Sequence, residues 1–280
     1  MAPCHAARCL LHAAFGVLAL LACHAARAQD CTALGADGQL PVLDNPRMAP
    51  QTRILCSSRF AVLYSGLARE PLWAAEHLDE AMVRAAMSTP REGTFHPDAR
   101  IPAGSRAELE DYVRSGFDRG HMAPSGDMPD RQTQEETFAL SNIVPQRAAL
   151  NREKWAMIES DLRRLTLRAG ELYVVTGPAF RGSSLSAIGR DRVLVPTSTW
   201  KAVYTPARQQ TGVYVCHNVA RNPGCSHVSV AELTRMTGID PFPALPARMK
   251  QNCMTLPYGR VRTTTHTRRH TTRRHAHYRW

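Results

Sequence analysis

An acid, a guanidinium and an imidazole crowd around Gly120 in the stretch "FDRGHMAPSGD", residues 117–127, where Asp118, Arg119 and His121 stand within four positions. Pro124 and Gly126 follow at once, so no helix runs on through them. His121 is the only histidine between residues 97 and 216. With an ordinary imidazole pKa of ~6.5 it can accept a proton near neutral pH, the work of a general base. Arg119 lies two residues earlier; in an extended segment the two side chains share a face, so a base and a phosphate-pairing cation project together. The plain alternative is a surface ion-pair cluster beside a turn. Asn151 weighs against it, because its amide oxygen is a hard neutral ligand of the kind Mg²⁺ accepts while keeping much of its water. The same residue also reads as an ordinary helix N-cap. Glu159, eight residues on, falls broadly on the same side of a helix but ~12 Å along its axis. One ion does not reach both, so Glu159 is expected to hold a metal-bound water or an arginine.

Periodicity supplies the elements that must position these side chains. In "NREKWAMIESDLRRLTLRAG" (151–170), Trp155, Ile158, Leu162 and Leu165 line one side of a helix that Gly170 closes. "RFAVLYSGLAREPLWAAEHL" predicts a strand at Phe60 to Tyr64, a turn near Gly66 and a second strand around Leu72 to Ala75. "ELYVVTGPAF", "DRVLVPTSTWKAVYT" and "TGVYVCHNVA" are β-branched or aromatic runs bounded by Gly and Pro, and predict further strands. "RAELEDYVRSGF" predicts a short helix ending at Gly116, and "RQTQEETFALSNIVPQ" another before Pro145. Residues 87–106 read as loop. Strands, helix, then strands without an internal repeat predict one mixed α+β domain.

The two ends differ in material from this body. An apolar run of roughly a dozen residues, closed by Ala26-Arg27-Ala28, predicts a secretory signal peptide over 1–28 and a periplasmic or secreted protein. Leu20-Leu21-Ala22-Cys23 offers a variant in which Cys23 is acylated and the chain is anchored by lipid. Residues 29–55 read as an N-terminal arm, 56–259 as the body and 260–280 as a disordered Arg/His-rich tail. Of the formal charge of +11, the leader's two arginines and the tail's seven account for nine, leaving +2 on the body. The tail's arginines would add salt-sensitive affinity for a polyanion. Five cysteines follow the leader; in an oxidising compartment Cys31 and Cys56 form the natural pair, and among Cys216, Cys225 and Cys253 one is left over. A zinc site from Cys216, His217, Cys225 and His227 is the rival reading, although its spacing fits no standard finger.

The ordered set "DRGHMAP", "SNIVPQ" and "LNREKWAMIE", with "FAVLYS", "PLWAAEHL", "REGTFHPDARIP", "ELYVVTGPAF" and "MTGIDPFP", resembles the DNA/RNA non-specific endonucleases over about Cys56 to Pro257. The resemblance implies the ββα-metal (His-Me finger) fold, a central mixed or antiparallel sheet flanked by helices. It implies His121 as general base, Asn151 as the direct metal ligand and Glu159 as the acid ordering its water. Arg119 and Arg91 match the arginines that grip phosphate. Asp118, Asn142, Gln146 and Arg163 match supporting positions. The implied function is an exported, Mg²⁺-dependent (or Mn²⁺-dependent) endonuclease that cleaves DNA and RNA without sequence preference and leaves 5′-phosphate ends. The alternative is an inactive nucleic-acid or polyanion binding protein of the same fold.

Overall fold

The computed structural model describes residues 31–257; the predicted leader with Cys23 and the arginine-rich tail from residue 260 lie outside the described residues. The first strands are Val42–Leu43 (β1), Thr52–Cys56 (β2), Phe60–Ser65 (β3) and Glu70–Asp79 (β4), which leads into helix Glu80–Ser88 (α1). Asp118–His121 (β5), helix Arg131–Thr137 (α2), Ile143–Gln146 (β6) and helix Ala156–Ala169 (α3) follow. Next come strands Glu171–Ala179 (β7), Ala187–Ile188 (β8), Val193–Leu194 (β9), Ser198–Thr205 (β10), Gln210–His217 (β11) and Cys225–Val228 (β12). Helix Val230–Thr237 (α4), strand Ile239–Asp240 (β13) and helix Ala247–Gln251 (α5) end the described chain.

Seven strands form one sheet in the order β12-β11-β10-β7-β4-β3-β2, every neighbour antiparallel. The sheet is buried on both faces. On one, Val62, Ala74, Val174 and Val203 pack against Ile158, Leu162 and Leu165 of α3. On the other, Ala75, Val175, Trp200 and Ala202 pack against Val230 and Leu233 of α4. Each fully buried aliphatic side chain removes enough apolar surface from water to contribute about 2 kcal/mol. Side chains fix the helix starts: Asp79 accepts from the Met82 amide at 2.7 Å, Asp130 from Thr133 at 2.8 Å and Ser229 from Glu232 at 3.2 Å. Gly170, at φ 87°, ends α3 where an L side chain would be strained.

Several expectations are corrected. β2 pairs with β3 along the sheet edge, so the expected arm boundary after residue 55 falls inside a strand. "RAELEDYVRSGF" gives only a 3-10 turn, Leu109–Tyr112. Asp111 turns its carboxylate to the backbone N–H groups of Glu108 (2.9 Å) and Asp191 (3.0 Å), and the chain leaves the helical region at Val113. The strong helix begins with a π-wound turn, Leu150–Trp155, ahead of α3. Cys31 bonds Cys56 as expected, and Cys216 bonds Cys225, leaving Cys253 free. That second disulfide consumes both thiolates of the zinc alternative.

Candidate active site

β5 and β6 form a two-stranded hairpin of their own, with Asp118 opposite Gln146, Arg119 opposite Pro145 and His121 opposite Ile143. Gly120 lets the hairpin close: a Cβ there would lie 2.3 Å from Oε1 of Gln146. The chain after His121 is clamped by Asn142, whose side chain accepts from the Ala123 amide (2.9 Å) and donates to the carbonyls of Ala123 (2.9 Å) and Thr137 (3.0 Å). β5, the loop that follows it at Pro124 to Gly126, Arg91 from the segment after α1, and the first turns of the π/α helix, Arg152 among them, line a cleft of about 340 Å³.

Arg91, Arg119, His121, Asn151, Glu159 and Arg163 all line that cleft. Asp118, Asn142 and Gln146 stand behind it, so the site set divides into residues facing the cleft and residues holding them. His121 is 8% exposed and packs against Phe95 and Phe138, ring centroids 5.4 and 5.0 Å away. Its Nε2 is buried without a hydrogen-bond partner among the described residues. Burial pushes the imidazole down to about 3, and the Arg91 charge acts in the same direction. Glu159 moves the other way. Burial raises its carboxyl to about 7, opposed first by Lys201, assisted by Asp127 and opposed again by Arg163 and Arg91.

The arginines fall into two kinds. Arg119 lies over the rings of Phe95 (5.1 Å) and Tyr112 (5.7 Å). Arg91 donates to Oγ of Ser125 at 3.0 Å and lies 5.3 Å from the Phe138 ring. Neither forms an ion pair with a carboxylate among the described residues, and both line the cleft. Arg163 and Arg152 are already engaged, with Asp127 (2.6 Å) and Asp118 (2.7 Å).

Asp118 also accepts from Nδ2 of Asn151 at 3.0 Å. This fixes which end of the amide is which: the nitrogen is turned to Asp118 and Oδ1 is left for a cation. The described residues contain no group of three or more His, Cys, Asp or Glu side chains that could cage a metal. One neutral oxygen ligand with a carboxylate nearby fits an ion that retains most of its water, as Mg²⁺ does.

Sequence reasoning missed Ser125 and Asp127, although both lie in the opening stretch and brace Arg91 and Arg163. It also missed Phe95, Phe138, Arg152 and Lys201, which no spacing singled out. Lys201 is 1% exposed, donates to Oγ1 of Thr176 at 2.7 Å and lies 5.2 Å from the Trp155 ring.

Residues 45–248 match the family described as DNA/RNA non-specific endonuclease. The chain belongs to that family. Among relatives, it is 34% identical over 214 residues to the mitochondrial nuclease EXOG of Danio rerio, covering 69% of this chain and 62% of that one. It is 34% identical over 216 residues to the human mitochondrial EXOG, covering 69% and 58%. With a nuclease of Nostoc it shares 31% over 211 residues, covering 69% and 74%. The two EXOG proteins thus extend well beyond the region this chain spans. Among solved structures it is similar to the EndoG/EndoGI complex, with a TM-score of 0.66, 28% identity and coverage of 71% of this chain and 89% of that one. The endonuclease-family fold is therefore the α+β, ββα-metal fold expected from the motifs, with an antiparallel rather than mixed central sheet.

Proposed function

We propose that this endonuclease-family chain is an exported, Mg²⁺-dependent (or Mn²⁺-dependent) endonuclease that hydrolyses phosphodiesters in DNA and RNA and leaves 5′-phosphate ends. The observation carrying the reading is the convergence of a neutral buried imidazole, two unpaired guanidiniums and the oriented amide of Asn151 on one cleft.

His121, uncharged at neutral pH, takes the proton of the attacking water. Its pocket of Phe95 and Phe138 excludes competing water and fixes the ring plane. Arg91 and Arg119 bind the scissile phosphate's oxygens, where negative charge grows during attack. Asn151 would hold the divalent ion through Oδ1, and Glu159 would bond its water shell. The ion, when bound, supplies charge stabilisation to the phosphate and the leaving 3′-oxygen. Asp118, Asn142, Gln146 and Arg163 keep these groups in place. Contacts of this kind address the phosphodiester backbone, which carries no base information, so cleavage of either nucleic acid is poorly discriminating.

Two disulfides among the described residues support an oxidising compartment, hence a periplasmic or secreted location consistent with the leader. No helix among the described residues is long and apolar enough to cross a membrane. The test is cleavage of circular single-stranded DNA, plasmid and RNA by the purified mature chain, with Mg²⁺ and with a chelator, alongside a folded His121→Ala variant. Loss of all three substrates only with Mg²⁺, and only for the parent, is expected. Parental rates from the variant would sink the reading.

A further inference from the structure

The hairpin carrying His121 shares no ladder bond with the seven-stranded sheet, because β5 and β6 pair only with each other. Side chains must fix its attitude to that sheet and to the helix bearing Asn151. Two of the crossing bonds are long: Gln146 Nε2 to Thr199 Oγ1 and Lys201 Nζ to the Met122 carbonyl, each 3.4 Å. The short ones come from Asn218, just past the end of β11 and 8% exposed. Its Oδ1 accepts from the Arg147 amide at 2.7 Å, and its Nδ2 donates to the carbonyls of Pro145 and Pro196, both at 2.9 Å. Its own amide donates to the Thr197 carbonyl at 3.0 Å. One side chain thus grips the backbone on both sides of Gln146 while anchored to the sheet's own loop.

What lies on either side of Gln146 makes this consequential. Pro145 faces Arg119 across the hairpin. The Arg147 carbonyl accepts the amides of Leu150 and Asn151, both at 2.9 Å, and so starts the helix that bears the candidate ligand. Asn218 therefore holds the joint where the strand pair bearing the base meets the helix bearing the amide oxygen. An amide has two N–H donors and an oxygen, and all of them are used here; alanine keeps none of these bonds.

We propose that Asn218 is a positioning residue for phosphodiester cleavage, setting the distance and angle between His121 and Asn151 without touching substrate. The inference rests on the active-site reading above. Geometry errors near one ångström at reacting groups cost on the order of a hundredfold in rate, whereas binding by arginines on flexible stems tolerates them.

The experiment compares Asn218→Ala with Leu233→Ala, a cavity variant under α4 on the opposite face of the sheet. Both are assayed on plasmid with Mg²⁺, well below either melting temperature, beside the parent and His121→Ala. Amide exchange of the segment 145–152 is followed in the absence of metal and substrate. For Asn218→Ala, kcat is expected to fall at least about tenfold with KM within about twofold, and the Arg147 and Asn151 amides to exchange faster. Leu233→Ala is expected to keep the parental kcat and exchange pattern in that segment despite a lower melting temperature. If Asn218→Ala keeps kcat within twofold, or both variants lose kcat alike, the positioning role is overturned. Where alanine at 218 does not fold, Asn218→Ser takes its place under the same criteria. An active His121→Ala would instead overturn the active-site reading itself, so the two failures are told apart.

Discussion

The two faces of the central sheet are built by neighbouring residues on the same three strands, yet they are made of different material. On the face under α4, β4, β7 and β10 present Ala75, Val175, Trp200 and Ala202, all buried and apolar. One residue along each strand, the face toward the cleft presents Glu76, Thr176 and Lys201, at 0%, 0% and 1% exposure. Lys201 sits opposite Thr176 in register and donates to it. Glu76 has neither carboxylate oxygen hydrogen-bonded, and burial, more than the nearby Asp127 charge, drives its pKa well upward. Burying an unpartnered carboxyl in this way is costly even when it keeps its proton. The far face is apolar at these positions; the near face packs Ala74, Val174 and Val203 against α3 but sets three polar side chains among them, an electrostatic environment for Glu159 and Arg163.

If that division is right, substitutions on the two faces should separate rate from stability. His121→Ala, at the cleft, is expected to lower kcat by about 10²–10⁴-fold, the usual contribution of a positioned base, with little change in melting temperature; single-turnover cleavage measures it. Leu233→Ala, on the far face, is expected to cost about 2–5 kcal/mol in denaturant unfolding while kcat stays at the parental value. A far-face variant that lost rate while remaining folded would break the comparison.

The sequence made much of this architecture legible, because β-branched and aromatic runs such as "FAVLYS" and "STWKAVYT", buried on both faces of the sheet, and the 3.6-period stripe Trp155-Ile158-Leu162-Leu165 are dictated by burial. The cleft's principal side chains were also legible, since Arg119 and His121 share a strand and Asn151 and Glu159 share a helix. What was not legible depends on contacts distant in sequence. Lys201 lies inside a run that reads as plain strand, and nothing local reveals that its ammonium meets Thr176 and the Trp155 ring. Asn218 follows "VYVCH" with no local signal at all. Asp111 shows the opposite failure: a helix-compatible pattern lost because its carboxylate found backbone N–H groups 3 and 80 residues away. Helix α4 carried a usable cue, Ser229 followed three residues later by Glu232, with Gly238 at its end.

Acidity sharpens the comparison, because the near face should make stability depend on pH where the far face does not. Glu159 is raised from 4.5 to about 7, mainly by burial, so the folded chain keeps a proton that the unfolded chain releases. Its contribution is fully present below about 4.5 and is lost as pH rises through 7. His121, depressed to about 3 by burial and then Arg91, works in reverse: its contribution is full above about 6.5 and is lost as pH falls toward 3. In metal-free urea unfolding, Glu159→Gln is expected to match the parent near pH 4 and to exceed it at pH 8 by at most about 3 kcal/mol. Equal stability of the two chains at both pH values would remove the electrostatic account of the near face. Lys201→Met should act on the same carboxyl with a smaller effect. Lys201 is the strongest influence opposing the burial of Glu159, so its loss should raise that carboxyl further and steepen the fall of metal-free stability toward pH 8.

The arginines supply the finest test, since they differ in pairing. Arg152 is 71% exposed on its side chain and bidentate to Asp118 through Nε (2.8 Å) and the NH₂ end (2.7 Å). Solvent screens an exposed pair of this kind, so it adds little stability, and Asp118 still accepts from Asn151 when Arg152 is gone. Arg152→Ala should therefore leave the melting temperature nearly unchanged and lower kcat by no more than about threefold. Arg119→Ala removes a charge that forms no ion pair with a carboxylate among the described residues, and its loss should show in both KM and kcat, far exceeding that of Arg152→Ala. Equal losses from the two would mean that the ion pair with Asp118 does not set Arg152, which also lines the cleft, aside from substrate.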